Sequence, residues 1–460
     1  MNHHDHAPPR QVFAIVCVGV ILTNLDLFSI NVALPRIAAD FAGSTLDELT
    51  WVLNGYAIAF ASLLVFAGRL AEGYRRDRSF ILGVAIFTLA SAACATSTGV
   101  WSLVAWRVLA ATGAALMTPT SLGLLLATFP PDRRAQAVRN WAGVGGFAAA
   151  LGPLVGGVLV TVSWRWIFIF NAIVGTLAIG VAWRQLPVVP GHAVSRPSSI
   201  ASLLVTAGTA TLVFGITKGH AWGWASPAVL GSLCSAALLL GAFVAHCKCS
   251  DHPLIDPALF SIRPYTTSAW VLVPYSMVFG ALLFSISIWC QTIWGWSALR
   301  TGTLMCVGPF MVPLTSMLFG ARLIARFGAK PVIAAGLCCF AAAFAVWASL
   351  IDQTPQACVV VIGMALSGIG VGLAFPTLMG MGTQALPASA FATGSGVINM
   401  LRQASMAIGV AMFVALVGSP AGMSAKLQSF HMAWWVMATL TLMAATPLLR
   451  LRKEKLQVNH

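Results

Sequence analysis

The sequence contains very few charged residues. Only 8% of its 460 residues are Asp, Glu, Lys or Arg, against about a quarter in ordinary soluble domains. A soluble protein cannot cover its surface with so little charge, so a soluble fold is excluded. Hydrophobic residues make up 58% of the chain, and the mean hydropathy is +0.87. The composition therefore predicts an all-α protein with many membrane-spanning helices.

Motifs for several kinds of chemistry are also missing. The sequence has no G-x-x-x-x-G-K-[ST] loop for nucleotide phosphates, which argues against an ATP-driven pump. No group of His, Asp and Glu lies within an apolar stretch, and the 10 cysteines lack disulfide or zinc spacing. We therefore expect a protein that is not an enzyme and that holds no metal or cofactor.

The charge that is present is basic. The 26 Lys and Arg residues exceed the 12 Asp and Glu residues, giving a net charge of +14. Cytoplasmic loops of membrane proteins accumulate Lys and Arg, which explains this excess without a polyanionic partner. No basic cluster is interleaved with aromatic residues, so we expect no nucleic-acid partner.

Apolar stretches long enough to cross roughly 30 Å of hydrocarbon predict fourteen helices. Between them, roughly nineteen Lys and Arg residues fall on one side of the membrane, which places both termini in the cytoplasm. The seventh and eighth stretches also fit a single re-entrant unit. The predicted spans are 11–34, 49–70, 79–97, 100–126, 136–160, 165–185, 199–217, 226–246, 268–291, 301–322, 331–350, 356–379, 391–416 and 431–450.

A weak internal repeat divides the chain. The segment 68–78, GRLAEGYRRDR, follows the second predicted helix, and the similar segment 321–331, ARLIARFGAKP, follows the tenth. This pattern indicates a six-helix bundle at 1–186, a linker with two extra helices at 187–263, and a second six-helix bundle at 264–460. Parallel repeats of this kind are typical of secondary transporters whose substrate site lies between the bundles.

Three charged residues lie deep within the predicted spans, away from the span ends, namely Asp26, Arg107 and Arg402. Charges at membrane depth are costly and persist where they are paired or line a wet cavity. Asp26 and Arg107 each lie roughly 10–12 Å below the outer surface, at about 1.5 Å per helical residue, so they can face each other. A proton-handling role is favoured, because the predicted spans hold no other carboxylate. A static ion pair that fixes helix packing is the alternative.

Several uncharged polar side chains are also expected at membrane depth. They are candidates for the wall of a substrate cavity, although each also fits an interhelical hydrogen bond. Arg402 has three candidate roles: contacting the substrate, balancing charge, or bonding to carbonyl groups of a broken helix. The candidate cavity residues are Asn31, Asn54, Asn140, Gln291, Asn399, Arg402 and Gln403.

Five segments resemble motifs of the major facilitator superfamily, and more narrowly of its fourteen-helix drug:proton antiporter branch. Segment 25–35, LDLFSINVALP, is similar to the helix-1 motif, and segment 107–115, RVLAATGAA, is similar to the helix-4 motif. Segment 68–78 resembles the loop motif G-x-L-A-D-R-x-G-R-R, with Gly73 and Arg75 departing from it. Segment 152–157, GPLVGG, matches the exporter motif G-P-x-x-G-G, and segment 399–403, NMLRQ, resembles the helix-13 motif.

The resemblance implies a major facilitator fold and a role for each motif. Asp26 is implied to be the protonatable group, with Arg107 tied to proton coupling. A latch on the cytoplasmic side and a hinge in the fifth helix are also implied. The residues of the latch and hinge are Gly68, Glu72, Arg76 and Arg78, and Gly152, Pro153, Gly156 and Gly157.

The resemblance also implies a proton-coupled antiporter that exports small hydrophobic or amphipathic compounds by alternating access. Such a protein confers multidrug efflux and antibiotic resistance as a monomer in the bacterial cell membrane. Its partners are the small-molecule substrate, protons and the lipid bilayer, and the proton gradient takes the place of a cofactor. An exporter of an endogenous lipid or secondary metabolite, a proton-coupled importer, and a non-transporting membrane sensor remain alternatives.

Overall fold

The computed structural model describes residues 8–41, 43–190, 198–250, 253–386, 391–418 and 422–449, and the regular structure in these ranges is helical. Thirteen of the helices are long and apolar enough to span a membrane, and α14 is a further helix of 21 residues. In chain order they are α1 Pro9–Asp40, α2 Leu46–Gly73, α3 Arg76–Ala95, α4 Val100–Thr128, α5 Pro131–Val162, α6 Arg165–Gln185, α7 Ser199–Trp222, α8 Pro227–Cys249, α9 Arg263–Ile293, α10 Ala298–Phe327, α11 Ala329–Leu350, α12 Ala357–Gln384, α13 Phe391–Val417 and α14 Met423–Met443.

The predicted spans agree with these helices to within several residues, except at the last one. We predicted 431–450, whereas α14 begins at Met423 and ends at Met443. The polar residues Lys426 and Gln428 occupy its first turns, and hydropathy counting therefore missed them. The seventh and eighth spans are two full-length helices of 24 and 23 residues, not a single re-entrant unit.

Short connections set the direction of each helix. From α1 to α6 no connection is longer than the one from Phe41 to Thr45, so consecutive helices must run in opposite directions. Thr45 fixes the start of α2, because its hydroxyl accepts from the Glu48 amide while the Glu48 side chain accepts from the Thr45 amide. We call the two ends of the helix bundle the Pro9 end and the Asp40 end, after the first and last residues of α1.

The packing of α1–α6 is repeated in α9–α14. In the first helix group, α1 packs on α5, α2 on α4, and α3 on both α4 and α6. In the second helix group, α9 packs on α13, α10 on α12, and α11 on both α12 and α14. The same neighbours therefore recur in the same chain order, as expected for an internal repeat.

Glycines bring the third and fourth helices of each group into close contact. A Cβ atom on Gly113 would lie 2.6 Å from the carbonyl oxygen of Gly83, so a larger residue does not fit between α3 and α4. Similarly, a Cβ atom on Gly370 would lie 2.6 Å from the carbonyl oxygen of Gly336, between α11 and α12. Small residues at such crossings allow membrane helices to approach closely.

The two helix groups meet along α2 and α13 on one side and along α5 and α10 on the other. The helix α7 packs against both α2 and α13, and α8 packs against α7. Val213 of α7 is buried in a small cluster with Ala57 and Ile58 of α2 and Ala407 and Ala411 of α13. The two additional helices therefore cover the seam between α2 and α13.

Candidate functional site

A buried ion pair links α1 to α4. The Arg107 Nη1 atom lies 2.5 Å from the Asp26 Oδ2 atom, and the two side chains are 0% and 1% exposed. The amide of Asn171, on α6, donates to Asp26 Oδ1 at 2.9 Å. Arg107 Nε also donates to the carbonyl oxygen of Val52, on α2, at 3.0 Å. Four helices of the first group therefore converge on one carboxylate and one guanidinium, and the contact expected from the sequence is present.

The guanidinium of Arg107 also stacks on aromatic rings. Its Cζ atom lies 4.4 Å from the ring centroid of Tyr56 and 6.0 Å from that of Phe168. Such cation–π contacts strengthen when they are withdrawn from water. Protonation of Asp26 would remove the charge that holds Arg107 Nη1, while Val52 and Tyr56 would still hold the guanidinium. Arg107 is therefore held by three contacts, of which only the one to Asp26 depends on the charge of the carboxylate.

A cavity lies next to this pair, where α1 and α2 of the first helix group face α9 and α13 of the second. It contains about 410 Å³ of empty space, including its opening to solvent. Each of the four helices contributes three residues to its wall. The lining residues are Leu27, Phe28, Asn31, Leu53, Asn54, Ala57, Phe279, Gly280, Leu283, Met406, Ala407 and Val410.

The ion pair and the cavity share two helices. On α1, Asp26 is followed directly by the lining residue Leu27. On α2, the Val52 carbonyl and the Tyr56 ring contact Arg107, whereas Asn54 lines the cavity. The ion pair and the cavity wall therefore share α1 and α2.

Hydrogen bonds close the gap between the helix groups at the Asp40 end of the cavity. The Ser287 hydroxyl, on α9, donates to the carbonyl oxygen of Asn31 at 2.7 Å. The Gln291 amide donates to the carbonyl oxygen of Val32 at 3.1 Å and to the Ser287 hydroxyl at 3.0 Å. Gln291 thus seals the interface and is not a cavity residue, which corrects the sequence-based interpretation.

The remaining predicted cavity residues divide into two sets. Asn31 and Asn54 are lining residues of the cavity. Asn140 is instead exposed on α5, where it accepts from Gln136, because the polar start of α5 extends beyond the apolar stretch. The Asn399 amide donates to the carbonyl oxygen of Ser395 within its own helix.

Arg402 and Gln403 lie on α13, nearer the Pro9 end than the lining residue Met406. The Arg402 guanidinium lies 5.4 Å from the ring centroid of Phe375, and within the described ranges no carboxylate pairs with it. Gln403 is 3% exposed. Neither residue is part of the cavity wall, so both depart from the prediction.

The glycines of the G-P-x-x-G-G segment face two different neighbours. A Cβ atom on Gly156 would lie 2.8 Å from Ser29 Cα on α1, within the first helix group. A Cβ atom on the adjacent Gly157 would lie 2.9 Å from the carbonyl oxygen of Ala298, on α10 of the second group. The carbonyl of Pro153 packs against Gly302 of α10. The segment is thus a contact between the groups, and Gly152 packs against Phe28 in the same way as Gly156 packs against Ser29.

The segment of the predicted latch lies at the Pro9 end, where several of its side chains have contacts. Arg76 Nη1 donates to the carbonyl oxygen of Gly123 on α4 at 3.2 Å. Arg75 pairs with Asp77 at 2.6 Å, and Asp77 Oδ1 also accepts from the backbone amide of Val189 at 3.4 Å. The sequence interpretation had singled out neither Arg75 nor Asp77 for this role.

The other members of the predicted latch are Gly68, Glu72 and Arg78. Arg78 is exposed, and Gly68 approaches Pro119 of α4, with a Cβ distance of 3.5 Å. Glu72 belongs to α2, but its side chain lies outside the described residues. Among the described side chains of segment 68–78, Arg75, Arg76 and Asp77 form hydrogen bonds.

Sequence reasoning missed Asn171 and Tyr56 as members of the ion-pair site. Asn171 lies six residues into α6, which starts at the Asp40 end, and Arg107 lies seven residues into α4, which starts at the same end. The two residues therefore have nearly equal depth at about 1.5 Å per residue. The depth argument that joined Asp26 to Arg107 would have found Asn171, whereas nothing in the sequence pattern singles out Tyr56.

Comparisons with known proteins agree with this architecture. The chain matches the sequence profile of the Major Facilitator Superfamily over residues 16–410 and 268–459. It is 31% identical to the tetracenomycin C resistance and export protein of Streptomyces glaucescens, over 89% of this chain and 75% of that protein. It is 32% identical to the probable actinorhodin transporter of Streptomyces coelicolor, over 90% and 75% of the two chains.

Solved structures show the same fold at low sequence identity. An auto-inhibited peptide transporter of the POT family superimposes with a TM-score of 0.73 at 14% identity, covering 98% of this chain and 99% of that one. The profile match spans most of the chain, and the matched relatives are transporters. The chain therefore belongs to the Major Facilitator Superfamily, and it is a membrane transporter, not an enzyme.

Proposed function

We propose that the protein is a proton-coupled antiporter that exports small hydrophobic or amphipathic compounds by alternating access. The buried pair of Asp26 and Arg107, one residue from the wall of a mostly apolar cavity, is the observation that carries the proposal. The names of the relatives, a resistance and export protein among them, support export over import. Because the ion pair lies beside the cavity, a proton bound at Asp26 and a substrate bound in the cavity would act on the same two helices, α1 and α2.

The proposed topology has fourteen membrane helices, arranged as two six-helix bundles at 1–186 and 264–460 and a two-helix linker at 187–263. It is supported by the repeated helix packing and by α7 and α8 lying outside both groups. Most of the Lys and Arg between helices lie at the Pro9 end, which we assign to the cytoplasm. Both termini then lie in the cytoplasm of a bacterial cell, and the transporter acts in the plasma membrane as a monomer.

In the proposed cycle, the structure is the form whose cavity is closed toward the outside, by Ser287 and Gln291. Substrate enters from the cytoplasm or the inner leaflet while Asp26 is paired with Arg107. Opening of the Asp40 end then admits a proton, which neutralises Asp26 and weakens its bond to Arg107. The change on α1 and α2 lowers the affinity for substrate, and proton release to the cytoplasm resets the pair.

Substitution of Asp26 tests the coupling. In proteoliposomes with an imposed pH gradient, Asp26→Asn is expected to abolish gradient-driven accumulation, a loss of about a hundredfold or more, because the amide cannot take up and release a proton. Downhill exchange of substrate should persist. Asp40→Asn, which also changes a carboxylate on α1, is the matched control and should transport normally. Gradient-driven transport by Asp26→Asn at the wild-type rate would remove Asp26 from the coupling mechanism.

A dedicated exporter of one metabolite is the second candidate function. Two relatives are each named after a single compound, tetracenomycin C in one case and actinorhodin in the other. A broad panel of transport substrates, measured beside the metabolite profile of a deletion strain, distinguishes the candidates. Accumulation of one intracellular compound together with a narrow panel favours the dedicated exporter, and a broad panel favours drug efflux. The direction of substrate flux across the vesicle membrane, measured under an imposed pH gradient, decides between export and import.

A further inference from the structure

One amide in the cavity wall has no hydrogen-bond partner. Asn54 of α2 is 1% exposed, and it lines the cavity. Within the described part of the chain, neither its Nδ2 atom nor its Oδ1 atom has a partner. Buried polar groups in proteins are nearly always paired, and an unpaired one reduces stability. An amide left in this way next to a cavity is suited to a ligand.

The second amide in the wall differs. The Asn31 Nδ2 atom donates to the carbonyl oxygen of Leu27 at 3.2 Å, within its own helix. The Asn31 amide thus already has a partner within its own helix, whereas both polar atoms of Asn54 are buried at the cavity wall without a hydrogen-bond partner. This difference makes Asn54 the stronger candidate of the two for a hydrogen bond to a ligand.

The rest of the wall defines the charge of that molecule. Among the lining residues, the only polar side chains are Asn31 and Asn54, and none is charged. The nearby carboxylate of Asp26 already accepts from Arg107 and Asn171. A cation in the cavity would lose its hydration without gaining a counter-charge, so the site favours neutral compounds.

The carboxamide of Asn54 presents an N–H donor and a carbonyl acceptor side by side. Its complement is a group with the same pair in reverse order, such as the cis-amide of a lactam or a cyclic imide. We propose that Asn54 determines substrate specificity, by selecting neutral and largely apolar ring compounds that carry an adjacent donor and acceptor. This inference rests on the proposed export function, whose cavity it concerns.

Equilibrium binding of four matched tricyclic probes tests the inference. Phenanthridin-6(5H)-one carries the lactam, its N-methyl derivative lacks the donor, phenanthrene lacks both polar groups, and 5-methylphenanthridinium is a permanent cation of similar size. Binding is measured to the full-length protein in lipid nanodiscs without any gradient. Wild-type protein is expected to bind the lactam about tenfold more tightly than each of the other probes.

The variant Asn54→Leu has nearly the same volume and removes both polar atoms. It is expected to bind the lactam only as tightly as phenanthrene, while its affinity for phenanthrene is unchanged or higher. Its thermal midpoint should stay the same or rise, because a buried unpaired amide has been removed. A purely structural Asn54 would instead give a lower midpoint and equal losses for every probe.

Asn24→Leu is the matched control, since the Asn24 amide donates to the carbonyl oxygen of Val20 and the residue lies outside the cavity lining. It should keep the wild-type preference for the lactam. A second variant, Asn54→Asp, should shift the preference from the lactam to the cation. If Asn54→Leu does not fold, the inference is tested by Asn54→Asp alone: an unchanged preference for the lactam in that variant would contradict it.

Three results would overturn the inference: equal binding of the lactam and phenanthrene by wild-type protein, binding of none of the four probes, or tighter binding of the cation. Flux of the probes under a pH gradient is measured separately. Lactam binding that depends on Asn54 without any driven flux contradicts the export function and leaves the recognition site intact. Gradient-driven flux of the probes that is unchanged in the Asn54→Leu variant contradicts the recognition site and leaves the export function intact.

Discussion

The two helix groups of this transporter pack alike, but they bury different side chains. In the first group, Arg107 lies six residues before Gly113, the glycine at which α3 and α4 cross, and it pairs with Asp26. In the second group, Met364 lies six residues before Gly370, the corresponding glycine of α12, and it is fully buried. One group therefore holds a charged site at a position where the other holds an apolar side chain.

This difference bears on the purpose of the ion pair. The second group achieves the same close crossing without any charge at the corresponding position, so the crossing itself depends on the glycines. The ion pair is thus an addition to a packing plan that works without it. Buried charges are costly unless they are paired, which favours a functional role over a purely structural one.

The largest effect is expected from making the first group resemble the second. Arg107→Met leaves Asp26 buried without its cation, and removing one partner of a buried pair destabilises by about 3–5 kcal/mol. We expect a lower thermal midpoint in detergent and loss of gradient-driven transport in proteoliposomes.

The double variant Asp26→Leu with Arg107→Met separates stability from function. Replacing both partners with apolar residues is often neutral for stability, so its thermal midpoint should return toward the wild-type value while transport stays absent. Driven transport by either variant would contradict the proposed role of the pair.

An intermediate effect on stability is expected at the two corresponding glycines, Gly113 in the first group and Gly370 in the second. Gly113→Ala and Gly370→Ala each place a Cβ atom 2.6 Å from a backbone carbonyl oxygen of the neighbouring helix. Each substitution should cost about 1–3 kcal/mol by overpacking, with similar losses in the two groups. The thermal midpoints of the purified variants measure this.

Gly180→Ala is the control for the glycine series, because no atom lies within 4 Å of a Cβ at that position of α6. It should leave the midpoint unchanged or raise it slightly, since alanine favours the helix. A loss at Gly113 without one at Gly370 would show that the two crossings are not equivalent.

The smallest effect is expected at the Asp40 end of the first group. Asp40 Oδ2 accepts from Trp164 Nε1 at 2.8 Å and from Arg165 Nη1 at 2.9 Å, and the side chains of Asp40 and Arg165 are 40% and 35% exposed. The second group is joined there by hydrogen bonds to backbone carbonyls, from Trp294 Nε1 to the carbonyl oxygen of Asp352 and between His431 and the carbonyl oxygen of Ile351.

Asp40→Asn should therefore cost only about 0.2–1 kcal/mol, and less at high salt, because a partly exposed ion pair is screened. Thermal midpoints at low and high ionic strength measure the effect. Trp294→Phe at the corresponding end of the second group should show no salt dependence, because the bond from Trp294 Nε1 to the carbonyl oxygen of Asp352 is not an ion pair. An equal salt response in both variants would remove the electrostatic difference between the two ends.

Much of the site was accessible to simple arithmetic on the sequence. Asp26 and Arg107 had matching depths, and charges at membrane depth are rare enough to be noticed. The sequence could not distinguish the asparagines in this way. An asparagine in a predicted span looks the same in the sequence whether it lines a cavity or forms a hydrogen bond within its own helix. Only the packing of α1, α2, α9 and α13 shows that Asn54 lines the cavity and that Asn399 does not.

The sequence by itself determined that this protein is a helical membrane protein, where most of its helices lie, and which two charges meet. Those properties follow from local hydrophobicity and from distance along a helix, and both can be read residue by residue. The tertiary structure decided which face of each helix points inward, and therefore where the cavity lies, that Gln291 closes it and that Gly157 contacts the second group. Rotation of a helix about its axis is fixed by the shapes of its neighbours, and no single helix sequence contains that information.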